Sequence, residues 1–588
     1  MVYRINMPRF TLIPPRLNIS KNVQVTRSLY VDHARSESVV SVNPGNNDNL
    51  IAASKRFRNL HTYDFTIEAE VSFDGGKTWN PYPLLLPPEW NGGGLSDPTL
   101  AWDDRGWAYL FVGPTLRGPN PSDAVGTGGN FLGLWVYISK DGGKSWGTPV
   151  AISKNGDDDK QWAASDITHD SPHYGNVYVA WGAATPLRFG RSRNPGTAWS
   201  GPGNVDPASS SLVDKAYSPE VSVGPDGTIY ILSHNPGSDS IQFVKSTDGG
   251  QSFTNPTNVV IGLTSISRGA PSKNSWPHFP DATFRVHTLV TDCVVDQKTL
   301  IVAWADYRHG VSRIYYRRST DGGDNWEGPV SGQPLLAPGI ASPVDAHDFH
   351  PQIIALPNGT VGCAFYEFGP TLRGHEGNLI DVVLVASLDH GETFSLRDTV
   401  TEAPWDPAVN APWAHGDPEV TFIGEYFGLD VDQDYFYLVW TDTRTGMQEL
   451  FAAKAYVQTS ITEFDPMEDG EIVFVPSHGS AGGTLFNHRT GKIVGPIPNP
   501  YPEWNLQPGF ERQPTWRDER VRQINVALDA FAVIENIPDA SADSVKIALL
   551  DSIRSIATQG SRDLQGISKN KPLLGIKKTS KQRKKKSR

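Results

Sequence analysis

The chain has 588 residues, a formal net charge of −12, 38% hydrophobic and 20% charged residues, a globular composition but more than one compact core usually organises unless repeats pack on their neighbours. Its 56 Gly and 46 Pro exceed their usual joint share of about 12% and favour short strands and tight turns over long helices. No stretch approaches the ~18 apolar residues of a membrane span, and two cysteines, Cys293 and Cys363 in apolar runs, exclude a disulfide framework and read as buried thiols.

The N-terminal run MVYRINMPRFTLIPPRL has no uninterrupted apolar stretch, so no secretory signal or membrane segment is expected, which leaves a cytoplasmic protein as the default. Residues 1–29 read as an extended segment. From residue 30 to 456 an octapeptide recurs, Ser-x-Asp-x-Gly-x-(Thr/Ser/Asn)-(Trp/Phe). Its copies are SFDGGKTW (72–79), SKDGGKSW (139–146), STDGGQSF (246–253), STDGGDNW (319–326) and SLDHGETF (387–394). A further copy, SRNPGTAW (192–199), has Asn194 in place of Asp. The pattern suits a tight turn: Asp accepts backbone N–H groups further along, and Gly tolerates positive φ. The terminal aromatic can then pack back between neighbouring sheets. Each copy closes a longer unit of two extended runs, the second often ending near Trp. First runs are ESVVSV, DPTLAW, AASDIT, PEVSVG, RVHTLV, HPQIIAL and YFGLDV, which makes seven units, 56 to 76 residues apart. The last unit lacks the octapeptide but shares Trp-x-Asp-x-Arg with the fifth, Trp304-Asp306-Arg308 and Trp440-Asp442-Arg444. Such self-similarity predicts a propeller of four-stranded blades.

Residues 457–514 are Pro- and Gly-rich with some strand character (EIVFV). Residues 515–565 predict a helical hairpin. Val521, Ile524, Leu528 and Phe531 share one face, Pro538 separates the helices, and the second runs from about residue 540 to 559. Residues 566–588 predict a disordered basic tail, with eight Lys/Arg and no acid between Lys577 and Arg588. That tail is the part expected to contact polyanions; the acidic body is not.

The octapeptide resembles the Asp box, or BNR repeat, of the sialidase-like superfamily, and the resemblance covers roughly residues 30–456. It implies an all-β propeller; with the seven units and the helical hairpin read above, the expected fold is a seven-bladed β-propeller with a small C-terminal helical extension. Six blades are the alternative if the first or last unit is incomplete. In that family the box is a turn between the outer strands of a blade, so its Asp and Trp residues are read as structural.

The resemblance also implies that the inner-strand starts and the loops after the second strands share one face, opposite the boxes. The strand starts carry Glu37, Asp97, Asp166, Glu220, Arg285, His350 and Tyr426. The loops carry Arg56, Arg58, Arg117, Arg188, Arg308, Arg373 and Arg444. These arginines either pair with the acidic ring or form a site for a glycan or other anionic or hydroxyl-rich small ligand, since Arg suits bidentate contact with carboxylates. By resemblance to sialidases, which use a Tyr nucleophile, Tyr426 is the candidate nucleophile and Glu220 or Glu367 its base. Asp64 is the candidate acid. Arg285, Arg308, Arg444, Arg373 and Arg117 are the candidate substrate-binding residues. No assignment follows the family's order throughout: at FRVHTLV (284–290) the family's Ile-Pro is replaced by Val286-His287. His347, His350 and His415 read as structural rather than metal ligands, because His at i and i+3 of an extended segment point to different faces; a cation held by the acidic strand starts is the alternative. No cofactor is expected. The implied function is an exo-acting glycoside hydrolase; the alternative is a non-catalytic propeller binding a glycan or protein.

Overall fold

The computed structural model describes residues 10–13, 15–90, 92–116, 131–193 and 198–458, and the strands Ile461–Phe464, Ile472–Pro476, Gly483–Asn487 and Lys492–Ile497. Arg117, the helical hairpin and the basic tail lie outside the described residues. Two units are distinguished, Pro14–Ile461 and a second one that joins Met1–Ile13 with Thr462–Arg588. In the second unit, the EIVFV run lies in an antiparallel sheet of three strands, Ile472–Pro476, Gly483–Asn487 and Lys492–Ile497.

Within Pro14–Ile461, each repeat folds as an antiparallel meander. Runs rich in Val, Ile and aromatics make the strands, and Asp/Gly turns separate them. The first sheet contains Arg35–Val42, Leu50–Asn59, Asp64–Ser72 and Asn80–Tyr82. Six further sheets follow in chain order, opening with Gly94–Trp102, Trp162–Ser165, Ala216–Val223, Val290–Val294, His347–Ala355 and Gly428–Val431. Each opening strand packs against the next, and the seventh packs against the first. All seven line one cavity of about 500 Å³. The seventh sheet takes its outer strand from the other end of the chain: Arg16–Ile19 pairs with Glu449–Gln458, from Arg16↔Gln458 to Ile19↔Ala455. The third sheet has three strands among the described residues. Cys293 and Cys363 are free and buried.

The octapeptides make the turns their composition predicts. Asp248 Oδ1 accepts the N–H groups of Gln251 and Ser252, each at 2.9 Å, while Ser246 Oγ accepts Gly250 N–H at 2.9 Å and donates to Asp248 at 2.8 Å. The second glycine sits against the preceding sheet. A Cβ on Gly391, at φ 80°, would stand 2.0 Å from Ile301 Cδ1. The terminal aromatics lie edge-on against rings of the preceding sheet, Trp199 on Phe111, Phe253 on Phe189, Trp326 on Phe243 and Phe394 on Tyr316. The boxes also meet the turns that end the opening strands: Gly75 N–H donates to Asp48 O at 3.0 Å, and Asn49 Nδ2 to Gly142 O at 3.0 Å.

Candidate functional site

At the other end of the opening strands, where they begin, four sheets share one irregularity. The ladder register shifts between Ser36 and Val39, Ser96 and Thr99, Tyr217 and Glu220, and Phe349 and Gln352. Each bulge holds a non-glycine residue at positive φ: Glu37 at 52°, Asp97 at 51°, Ser218 at 47° and His350 at 49°. Proline follows three of them (Pro98, Pro219, Pro351), a residue with no N–H to lose from the ladder and so at home in a bulge. Such backbone costs about 1–3 kcal/mol per residue, and bulges re-aim side chains beside sites. Here Glu37 and Asp97 join a buried charge cluster.

Lys55, from the second strand of the first sheet, contacts Glu37 and lies 3.1 Å from Asp97. Lys160, just ahead of the third sheet, reaches Glu425 at 2.5 Å and Glu37 and Asp97 at 3.5 Å each. Glu425, just ahead of the seventh sheet, also holds Arg285 Nε at 3.1 Å and His287 Nε2 at 3.4 Å. Burial opposes the charge on Glu425, but Arg285 and Lys160 outweigh it and hold the carboxyl well below its usual range. Asp97 is likewise held low, against burial, by Lys160 and Lys55. Asp159 goes the other way. Burial and the neighbouring Asp97 carboxylate, to which it is hydrogen-bonded, raise it well above the usual range. Like charges in one site cannot both ionise, so Asp159 carries the proton. Burial, opposed by Lys55, brings Glu37 to about 7.

These groups floor a pocket of about 290 Å³. Lys55, Asp97, Asp159, Lys160, Arg285 and Glu425 line it on the charged side. Its other wall is aromatic: Tyr63, His415 and Trp276 stack in series, with centroids 4.4 Å apart at 29° and 4.6 Å apart at 2°. Trp276 sits on a hairpin whose tip residues Asn274 and Ser275 have φ of 50° and 74°. Asn274 Nδ2 donates to Asp417 at 2.7 Å, which ties the hairpin to the loop carrying His415. His415 is neutral: burial and Arg285 lower it to about 3, and its Nε2 lies 2.6 Å from Arg285 Nη1 as acceptor. His287 is lowered to about 4, chiefly by burial.

Of the candidate catalytic and substrate-binding residues expected from sequence, the structure brings Arg285 into this pocket, already engaged by Glu425 and His415. It does not bring the others there. Tyr426 is packed edge-on against Trp162, centroids 6.1 Å apart, and its hydroxyl makes no hydrogen bond among the described residues. Glu220 accepts Asp292 N–H at 3.0 Å and lines the central cavity instead. Glu367 pairs with Arg397 at 2.6 Å, and Asp64 lies 3.2 Å from Arg58. Arg308 binds Asp306 and lies over Tyr315. Arg444 repeats this with Asp442 and Phe451, and Arg373 chelates Asp381 at 2.6 and 2.9 Å. In these three, as in Arg188 with Asp158 at 2.5 Å, the arginine is already paired with an aspartate.

Sequence reasoning passed over Lys55, Asp159, Lys160, Glu425, Tyr217 and Trp276. The adjacent signals are Glu425 beside Tyr426, and the Asp159-Lys160 pair ahead of the third opening strand, where the sequence reading places Asp166, one residue past the strand's end. The strand is Trp162–Ser165. Among the described residues no group of three His, Cys, Asp or Glu could hold a metal ion, and no helix is long and apolar enough to cross a membrane.

A family model for the BNR/Asp-box repeat matches residues 70–81. No curated protein matches the chain. Among solved structures it is similar to a protein of unknown function from Dyadobacter fermentans, at 15% identity and TM-score 0.41, covering 75% of this chain and 99% of that one. It is similar to a Hadza microbial sialidase, at 17% identity and TM-score 0.37, covering 72% and 66% of the two chains. It is also similar to an α-L-arabinofuranosidase from Fusarium graminearum, at 12% identity and TM-score 0.36, covering 74% and 97%.

Proposed function

We propose, for a chain that carries the Asp-box repeat of the sialidase-like propeller superfamily, that its seven sheets are the blades of one propeller and that the pocket floored by Asp97, Asp159 and Glu425 hydrolyses a terminal glycosidic bond. The observation that carries this reading is the pairing of opposite protonation states in one pocket: Asp159 keeps its proton while Glu425 is ionised. Two carboxyl groups whose environments push them apart are what glycoside hydrolysis requires. Asp159 gives its proton to the glycosidic oxygen as the bond to the anomeric carbon breaks. The Glu425 carboxylate offsets the positive charge that develops on the sugar. Water then adds to the anomeric carbon and returns a proton to Asp159, which restores the acid.

A volume of about 290 Å³ lies at the lower end of the roughly 300–1,000 Å³ typical of ligand pockets, which supports a single sugar residue and exo action. A screen over p-nitrophenyl and methylumbelliferyl glycosides tests the reading. Turnover of a monosaccharide glycoside by the wild type, abolished in Glu425→Gln with the melting temperature retained, is the expected result. Binding of a sugar with no turnover of any glycoside would leave a glycan-binding propeller.

A further inference from the structure

We infer that the pocket takes an uncharged sugar, not a sialic acid or uronic acid; the inference rests on the sugar-binding part of the reading above. Recognition of a sugar carboxylate needs cations with spare capacity, because a buried anion without a counter-charge is strongly disfavoured. Every cation lining this pocket is already paired with at least one carboxylate. Lys55 is shared by Glu37 and Asp97. Lys160 is shared by Glu425, Glu37 and Asp97. Arg285 is held by Glu425 on one side and by the His415 ring on the other. Above about pH 7, where Glu37 is ionised as well, Lys55, Lys160 and Arg285 face Glu37, Asp97 and Glu425 as carboxylates, with Asp159 as a neutral acid beside them.

The charges already balance, and a substrate carboxylate would add an uncompensated negative one. The histidines do not alter this, since His287 and His415 are neutral. The candidate clamps that could have supplied more charge, Arg308, Arg373 and Arg444, each close onto an aspartate of their own sheet. What the pocket offers instead suits hydroxyl groups and apolar ring faces: carboxylates and the Tyr217 hydroxyl as hydrogen-bond partners, and the half-buried Trp276 ring on the wall.

The test compares sugars of one shape and two charges. Methylumbelliferyl glucoside and galactoside are set beside the corresponding glucuronide and galacturonide, with neutral pentosides and the N-acetylneuraminide completing the panel, all at about pH 8, where Glu37 is ionised, and low ionic strength with the full-length chain. Expected is a kcat/KM at least 100-fold higher for some neutral glycoside than for any anionic one. Preference for the sialoside or a uronide would overturn the inference while leaving the hydrolase reading intact. If no glycoside turns over, calorimetric titration with the free sugars decides. Heat from a neutral sugar alone sustains the inference and removes the hydrolase reading; heat from an acid sugar, or from none, overturns it. Glu37→Gln supplies a second measurement, because removing one carboxylate should release Lys55 and raise the affinity for glucuronate at least tenfold. An unchanged affinity in a folded variant would count against the charge-balance argument.

Discussion

Asp159 is half-buried in the pocket wall and shares a proton with Asp97. Asp159→Asn should keep a hydrogen bond to Asp97 and remove the acid. The expected loss is ~10²–10⁴-fold in kcat, with a melting temperature no lower than wild type; retention of full activity would remove Asp159 from the chemistry. The pH profile has a defined sign. The acid works only while protonated, so kcat should fall as pH rises through its raised pKa, above the ordinary carboxylate range, and that alkaline limb should vanish in the variant. The groups facing Asp159 are Asp97, Lys160 and Lys55. Arg308 is the contrasting case. It closes onto Asp306 and the Tyr315 ring, so Arg308→Met should lower the melting temperature and leave kcat/KM within about twofold. A selective loss of kcat/KM would return it to the site. Composition and repeat position made these arginines visible, and for Arg308 and Arg444 the partner stands two residues earlier in the same Trp-x-Asp-x-Arg motif; Asp381 is brought to Arg373 only by the pairing of two strands, which the octapeptide spacing does not specify.

At the scale of the turn and the strand, more was legible. The box fixes Asp, Gly and aromatic at set offsets, and the turn that results follows from Asp hydrogen bonding and Gly conformation alone. Asp248→Ala removes the acceptor for Gln251 and Ser252 N–H. It should cost ~1–3 kcal/mol, read as a lower denaturant midpoint, with activity per folded molecule unchanged. A variant as stable as wild type but inactive would make the box functional. The opening strands were harder to place. A shift of one residue exchanges the two faces of a strand, so Tyr426 was read where Glu425 stands. The bulges at Glu37, Asp97, Ser218 and His350 add such a shift in four sheets. The Asp-Pro, Ser-Pro and His-Pro steps (97–98, 218–219, 350–351) were the available sign of them, because proline inside a strand run argues for an edge or a bulge.

Across the whole molecule, buried titratable groups set two opposing pH trends. Burial raises Glu37, Glu70, Asp292 and Asp348 to about 7 each and Asp430 to about 6. Burial also lowers His287 and His347 to about 4, and His350 and His415 to about 3. The carboxyls keep their protons in the fold where the unfolded chain, with ordinary values near 4, has lost them. Their stabilising effect is therefore complete below about pH 4 and is lost as pH rises towards 7. The histidines stay neutral in the fold while the unfolded chain takes up protons below about 6.5. Their effect is complete above that value and is lost as pH falls towards 4 and 3. Between about pH 4.5 and 6.5 the two trends oppose each other; above that window only the carboxyl effect changes, and below it only the histidine effect. With five such carboxyls against four histidines the net slope across that window is slightly downward, so the melting temperature should be highest at about pH 4.5–5, fall slowly to about 6.5 and faster to about 7, and fall again below about pH 4. Asp348 is wholly buried, and burial, with the neighbouring Glu367 pushing the same way, outweighs the Ser342 hydroxyl, Arg397 and Arg313, whose Nη1 lies 3.7 Å from Oδ2. Asp348→Asn should therefore make the alkaline decline shallower, by about one carboxyl in five, and leave the acid side as it was. Thermal unfolding of both proteins across this pH range measures the effect, and a wild-type maximum at pH 8 or above would show that these carboxyls are ionised in the fold.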